Sequence, residues 1–189
     1  MQVAAQRLGP RAVAAVPPLQ GLLASLRTAG DGERLQRVNR FFNERIVFRS
    51  DAEVWNVDDH WASPLEAIAR GEGDCEDYAI AKYASLLAAG VPRQRLRLVY
   101  VRAVLSETGK PQPHMVLAYH AEVNAEPLIL DNLRPEVQPA SQRPDLTPVF
   151  SFNDEGLWQG AGSAPAGDPL VRLSRWREVW RRTQEEGFR

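Results

Sequence analysis

Apolar residues recur every three to four positions over residues 32–48, with Leu35, Val38 and Phe42 on one stripe. That spacing predicts an amphipathic helix. A shorter helix is predicted over 19–27, closed by Ala29 and Gly30. Residues 49–62 show no sustained period and read as loop. At Ser63-Pro64-Leu65-Glu66 a helix start is written out: Ser63 caps, Pro64 takes the first helical position and Glu66 the third. This helix ends near Gly71. The next is the best defined. Asp74 can cap it, Cys75 is its first residue, and Ala79, Ile80, Tyr83, Leu86 and Leu87 supply a buried face. Gly90 and then Pro92 stop it.

The period then changes. Residues 96–105, 114–120 and 127–131 read as strands, and 147–152 as a further one. In the second, Met115, Leu117 and Tyr119 alternate with His114, Val116 and Ala118. The short connections favour an antiparallel meander over parallel crossovers. Helices followed by antiparallel strands make an α+β class. The expected organisation is an N-terminal extension with a short helix (1–30), an α+β domain (31–158), a flexible Gly/Ala/Ser/Pro-rich linker (159–169) and a terminal helix (170–189). That last helix packs on the domain through Leu173, Trp176 and Trp180.

The length of 189 residues suits one domain with appendages. With 44% hydrophobic and 25% charged residues the chain is not disordered. A net charge of −1 argues against nucleic acid or an anionic membrane as the main partner. No apolar run reaches the roughly 18 residues of a membrane-spanning helix. Pro10, Pro17 and Pro18 break up the apolar runs of residues 1–29, so no signal peptide is expected there. The single cysteine, Cys75, excludes an internal disulfide and a multi-cysteine zinc cluster. It leaves a buried small hydrophobe, a reactive thiol or an intermolecular bridge.

Chemistry concentrates at Gly71-Glu72-Gly73-Asp74-Cys75-Glu76-Asp77. Unpaired N–H groups at a helix start favour a thiolate, the reactive form of cysteine. A thiolate needs a base to take its proton and a third group to orient that base. His114 begins one strand and Asp131 ends the next, and in an antiparallel pair those ends lie side by side. The order Cys, His, Asp on helix, strand, strand is the layout of papain-like and transglutaminase-like enzymes.

Gly73-Asp74-Cys75-Glu76-Asp77-Tyr78-Ala79-Ile80-Ala81-Lys82-Tyr83 resembles the signature of bacterial transglutaminase-like cysteine proteinases of the LapG type. The segments beginning at His114 (His-Met-Val-Leu-Ala-Tyr) and Leu128 (Leu-Ile-Leu-Asp-Asn-Leu) match that family's His and Asp blocks. Trp61-Ala62-Ser63-Pro64-Leu65-Glu66 and Asn39-Arg40-Phe41-Phe42-Asn43 match upstream blocks. The resemblance spans roughly residues 35–180. It implies a papain/transglutaminase-like α+β core and peptide-bond hydrolysis, with Cys75 as nucleophile, His114 as general base and Asp131 orienting the imidazole. It further implies a periplasmic enzyme that clips a large surface adhesin near its N-terminus, at a di-alanine bond, and so controls biofilm attachment. Its expected partners are that adhesin and an inner-membrane cyclic-di-GMP receptor of the LapD type. Trp61 either lines the substrate cleft or is a core aromatic. Acyl transfer to an amine, and a non-catalytic binding module on the same fold, are the alternatives.

Asp74, Glu76 and Asp77 next to a thiolate pose an electrostatic problem, because three negative charges raise a thiol pKa. A bound divalent cation cancels that field, and clustered carboxylates suit Ca²⁺. The resemblance implies calcium dependence with ligands at these positions. The expected shell is Asp74, Glu76 and Asp77 with carbonyls from residues 55–59. A solvated acidic turn without metal is the competing reading.

Overall fold

The computed structural model describes residues 1–104, 109–122, 125–162 and 164–188, with Pro165 described by its backbone alone. Three helices open the chain: α1 (Gln2–Leu8), α2 (Pro10–Leu26) and α3 (Asp31–Arg45). Helix α2 runs straight through Pro17 and Pro18, well upstream of the predicted start at residue 19. Each proline removes an N–H donor from the helix. Ala12, Val16, Leu19 and Leu26 are fully buried along one side, however, and this packing overrides the local preference. Helix α3 buries Leu35, Val38 and Phe42, the stripe the spacing predicts, together with Asn39 and Phe41.

After α3 comes a two-residue strand, β1 (Val47–Phe48). The expected loop then contains a single turn of helix, α4 (Asp51–Val54), held by a capping box between Ser50 and Glu53. Helix α5 (Pro64–Arg70) has the capping box of Ser63 and Glu66 read from the sequence. It stops at Gly71, whose φ of +70° is left-handed. Strand β2 (Glu72–Gly73) pairs in parallel with β1 and leads into α6 (Cys75–Ala88).

The remaining strands are β3 (Leu96–Val104), β4 (Pro111–Tyr119), β5 (Leu128–Leu130), β6 (Gln138–Pro139), β7 (Leu146–Phe152), β8 (Leu157–Gln159) and β9 (Pro165–Gly167), followed by α7 (Pro169–Arg172) and α8 (Ser174–Glu185). Residue 105, the expected end of the first long strand, lies outside the described residues. The seven strands form one antiparallel sheet in the order β6-β5-β4-β3-β7-β8-β9. The α+β class with a meander at its centre is thus as expected. The segment expected as a flexible linker differs: β9 lies within it and pairs with β8 at the sheet edge. Backbone pairing at an open edge recruits a stretch whose composition alone reads as loop.

Helix α6 lies between the sheet and helices α3 and α5, so it is buried on nearly every side from Asp77 to Leu86. The sequence indicates one apolar face. Ala, Ser and Tyr fill the others because small and amphipathic side chains fit tight helix–sheet contacts. Met115, Leu117, Tyr119 and Leu130 meet α6 from the sheet. Helix α8 buries Trp176, Val179, Trp180 and Thr183 at i, i+3, i+4 and i+7. Ala5 and Phe188 belong to the same core, so both chain ends are built into one unit rather than appended to it.

Candidate active site

The segment 71–77 is positioned from both sides. Val47 N–H donates to the Gly71 carbonyl and Arg49 N–H to the Gly73 carbonyl, each at 2.9 Å, which pins the approach to α6. The Tyr78 hydroxyl donates to the Ile46 carbonyl. Gly73 has no substitute, since a Cβ there would sit 2.4 Å from Asp77 Oδ2. Asp74 caps α6 as expected, and the Asp77 carboxylate answers it by accepting from Asp74 N–H at 3.3 Å.

Cys75 is therefore the first residue of α6, with its sulfur facing β4. The Met115 N–H lies close enough to that sulfur to favour its negative charge. The Cys75 thiol donates to Glu76 Oε2 at 2.8 Å. Burial pushes the thiol pKa well up, and the charges of Glu76 and Asp74 push it further, against a small opposing pull from the Met115 N–H. In this electrostatic setting the sulfur is held protonated.

His114 precedes Met115 and is buried. Its Nε2 lies 2.8 Å from Asp131 Oδ1. Asp131 follows β5 directly, one residue past the Leu117–Leu130 pair. Its second oxygen, Oδ2, accepts from Arg143 at 2.7 Å, and Oδ1 also accepts from Leu133 N–H at 3.2 Å. Burial alone would raise the Asp131 pKa. The hydrogen bonds and charges of His114 and Arg143 outweigh it and hold the carboxyl well below the usual range. The Asp131 carbonyl is tied as well, accepting from Asn43 Nδ2 at 2.9 Å, while Asn39 Nδ2 reaches the Pro135 carbonyl at 3.0 Å. The loop carrying the acid is thus laced to α3 on one side and to Arg143 on the other.

The acidic residues divide into two overlapping groups. Asp51, Asp74 and Asp77 bring carboxylate oxygens within 4.8 Å of one another, and Asp74, Cys75 and Glu76 form the other set. Asp51 belongs to the first group although no spacing in the sequence points to it; α4 carries it there. Asp51 accepts from His60 N–H at 2.5 Å through Oδ2, and Asp77 accepts from Ala62 N–H at 2.7 Å through Oδ1. Asp51 Oδ1 and Asp74 Oδ1 are buried and have no hydrogen-bond partner. Burial, then neighbouring carboxylates, raises the Asp74 pKa far above the carboxylate range, and burial raises Asp77 to about 8. Unpartnered buried oxygens in a cluster of hard, mutually repelling ligands fit a divalent cation.

Trp61 stacks on Phe152 with centroids 6.0 Å apart, and its carbonyl accepts from Arg182 at 2.6 Å. It is half-buried and joins the aromatic layer that continues through Phe152 to Trp176. Tyr100, on β3 opposite Met115, was not marked by the sequence. The charges of Glu76 and Cys75 add to burial in raising its pKa, which puts its hydroxyl within electrostatic reach of the sulfur.

The family described as bacterial transglutaminase-like cysteine proteinase (BTLCP) matches residues 24–156. Among solved structures, EGTA-treated Legionella pneumophila LapG is similar at 40% identity and a TM-score of 0.83, covering 96% of this chain and 95% of that one. A further structure of Legionella pneumophila LapG is 39% identical, with a TM-score of 0.80 and coverage of 96% and 94%. The calcium-bound form is 38% identical, with a TM-score of 0.80 and 96% of both chains covered. No curated protein sequence matches the chain.

Proposed function

The chain belongs to the bacterial transglutaminase-like cysteine proteinases, and from that premise we propose that Cys75, His114 and Asp131 form its catalytic triad and that its activity depends on calcium. The observation carrying this reading is the pairing of His114 Nε2 with Asp131 Oδ1 at 2.8 Å, one residue from Met115, whose N–H acts on the Cys75 sulfur. With Nε2 engaged, Nδ1 is the ring atom left to serve the thiol.

Each residue then has a defined task. The Cys75 thiol passes its proton to His114 Nδ1 and the sulfur attacks the scissile carbonyl carbon. Asp131, itself held ionised by Arg143, stabilises the imidazolium and fixes its tautomer. The Cys75 backbone N–H, free of helical bonding in the first turn of α6, faces the developing oxyanion. As the C–N bond breaks, His114 returns the proton to the departing amine and a thioester remains. His114 next deprotonates water, which attacks the thioester and releases the acid and the thiol. Asp51, Asp74 and Asp77, with Glu76 turned to the sulfur, are the residues that would hold Ca²⁺. When bound, the ion supplies the positive charge that lets a thiolate exist beside three carboxylates.

The resemblance to LapG-type enzymes supports a finer reading. The substrate is a large surface adhesin cut near its N-terminus at a di-alanine site, and its release governs biofilm attachment. The enzyme works in the periplasm and is sequestered by a LapD-type cyclic-di-GMP receptor. Among the described residues no helix is long and apolar enough to cross a membrane. Incubation of purified protein with N-terminal adhesin fragments, with and without Ca²⁺, tests the whole proposal. The expected result is one cut at paired alanines, abolished by chelator and by Cys75→Ala. Cleavage that persists in Cys75→Ala would overturn the triad, and a cross-linked rather than cleaved product would overturn hydrolysis.

A further inference from the structure

The face of the sheet turned away from α6 has its own small apolar cluster of Val99, Val101, Val116, Ala118 and Ile129. Above it lies a cavity of about 190 Å³. That exceeds the roughly 150 Å³ of an engineered apolar cavity that takes up benzene. Its floor is formed by Val99, Val116 and Ile129, and Arg143 closes the side nearest the triad.

Besides Arg143, the polar residues Ser151, Arg97 and His120 interrupt the apolar lining. Ser151, opposite Val99 in the β3–β7 register, is fully buried, and its hydroxyl has no partner. Arg97 lies at the far end. Its guanidinium stacks 4.0 Å above the Trp158 ring and donates one hydrogen bond, to the Gly162 carbonyl at 2.7 Å. Burial is the influence that lowers its pKa, with no compensating carboxylate among the described residues. A half-buried cation on an aromatic platform, an orphan hydroxyl and an apolar floor form a recognition surface for an anion with an apolar body.

We propose that this cavity is a binding site for a small aryl or alkyl carboxylate. The ligand's carboxylate pairs with Arg97, its edge meets the Ser151 hydroxyl and its apolar part covers Val99, Val116 and Ile129. The site is separate from Cys75, which packs against the core on the α6 side of the sheet, whereas the cavity lies over the cluster on the other face. Arg143 lines the cavity and also bonds Asp131, so occupancy bears on the His114–Asp131 pair. This second consequence rests on Asp131 being the triad acid, whereas binding itself does not.

The test uses the full chain with 3-phenylpropionate and, as the uncharged control, 3-phenylpropionamide. Amide NMR shifts report where each binds, and peptidase activity is read separately. The acid is expected to shift Val99, Val116, Ile129 and Ser151. Arg97→Met is expected to weaken the acid by at least about tenfold and to leave the amide unaffected. Val116→Trp fills the cavity and is expected to abolish binding of both. Ala118→Leu serves the same purpose should the tryptophan variant fail to fold. Absence of shifts at millimolar acid, shifts centred on Cys75, or equal binding of acid and amide would overturn the assignment. The last result would mark the cavity as a socket for a neutral apolar group such as a protein side chain. Binding without any change in activity would leave the site standing and remove its coupling to Asp131.

Discussion

The His114 imidazole and the Asp131 carboxylate meet through Nε2 and Oδ1 at 2.8 Å, and both side chains are removed from solvent. Arg143 completes that relationship by holding the other carboxylate oxygen at 2.7 Å, with Asp145 as its second acidic partner. Arg143→Met strips the buried Asp131 carboxylate of its permanently charged partner and leaves Oδ2 without its guanidinium donor. The expected loss is about 3–5 kcal/mol of stability, read by chemical denaturation. With the guanidinium gone, the Asp131 pKa rises, so activity fails at higher pH on the acid side of the profile. An unchanged acid limb would show that Arg143 acts on the fold alone.

Asp51 is the carboxylate that α4 adds to Asp74 and Asp77. Asp51→Asn is expected to weaken calcium binding by about 10- to 100-fold in calorimetric titration, as loss of a metal-site partner commonly does. The Asp77 pKa in the calcium-free protein is raised to about 8, above its ordinary 3.8. Proton binding therefore favours the folded state, a contribution complete below about pH 4 and lost as pH rises through 8. In chelator, thermal stability should fall across that range, and saturating Ca²⁺ should remove the dependence. Stability in chelator that rises with pH would contradict the cluster as described.

Glu186, just past α8, caps α5 from a distance. Its carboxylate accepts from Leu65 N–H at 2.9 Å and from the Ser63 hydroxyl. Burial raises its pKa to about 7 from an ordinary 4.5. Its protonation supports folding below about pH 4.5, and that support is lost as pH rises through 7. Glu186→Gln should flatten this part of the stability profile. Glu186→Ala should cost about 1–3 kcal/mol at any pH, because two buried donors lose their acceptor. Equal profiles for the two variants would refute the distant cap.

Lys82 is wholly buried on α6, and its ammonium has no hydrogen-bond partner. Burial lowers its pKa from 10.5 to about 7, with the Asp131 charge opposing. The folded state disfavours the bound proton, so stability is complete above about pH 10.5 and lost as pH falls through 7. Lys82→Met should therefore stabilise the protein by roughly 1–4 kcal/mol near neutral pH, with the gain vanishing toward pH 10.5. Removing a cation that faces Asp131 should also lower kcat/KM. A variant both more stable and fully active would leave the buried lysine without a catalytic reason.

Much of this molecule is legible along the chain because its signals are local. A cap, a proline at the first helical position and a stopping glycine lie within a few residues of the helix they bound. Thus α5 and α6 were readable, and with them the placement of Cys75 at a helix start. Alternation in β4 and the short span to β5 likewise brought His114 beside Asp131. Residues 1–18 were harder, since prolines oppose helix locally and burial of Ala12 and Val16 against distant partners decides the outcome.

The sequence alone therefore determined the α+β class and the helix that begins with Cys75, and it singled out the three side chains of the proposed triad. Tertiary structure decided the rest. Asn43 and Asp131 lie 88 residues apart in the chain, and Arg143 meets the same acid from the other side. Asp51 joins Asp74 through a single helical turn that no period announces. The raised pKa values of Cys75, Asp74 and Asp77 are likewise consequences of burial. Periodicity and capping record interactions between residues close in the chain, whereas desolvation and charge pairing depend on distances in space that exist only once the chain has folded.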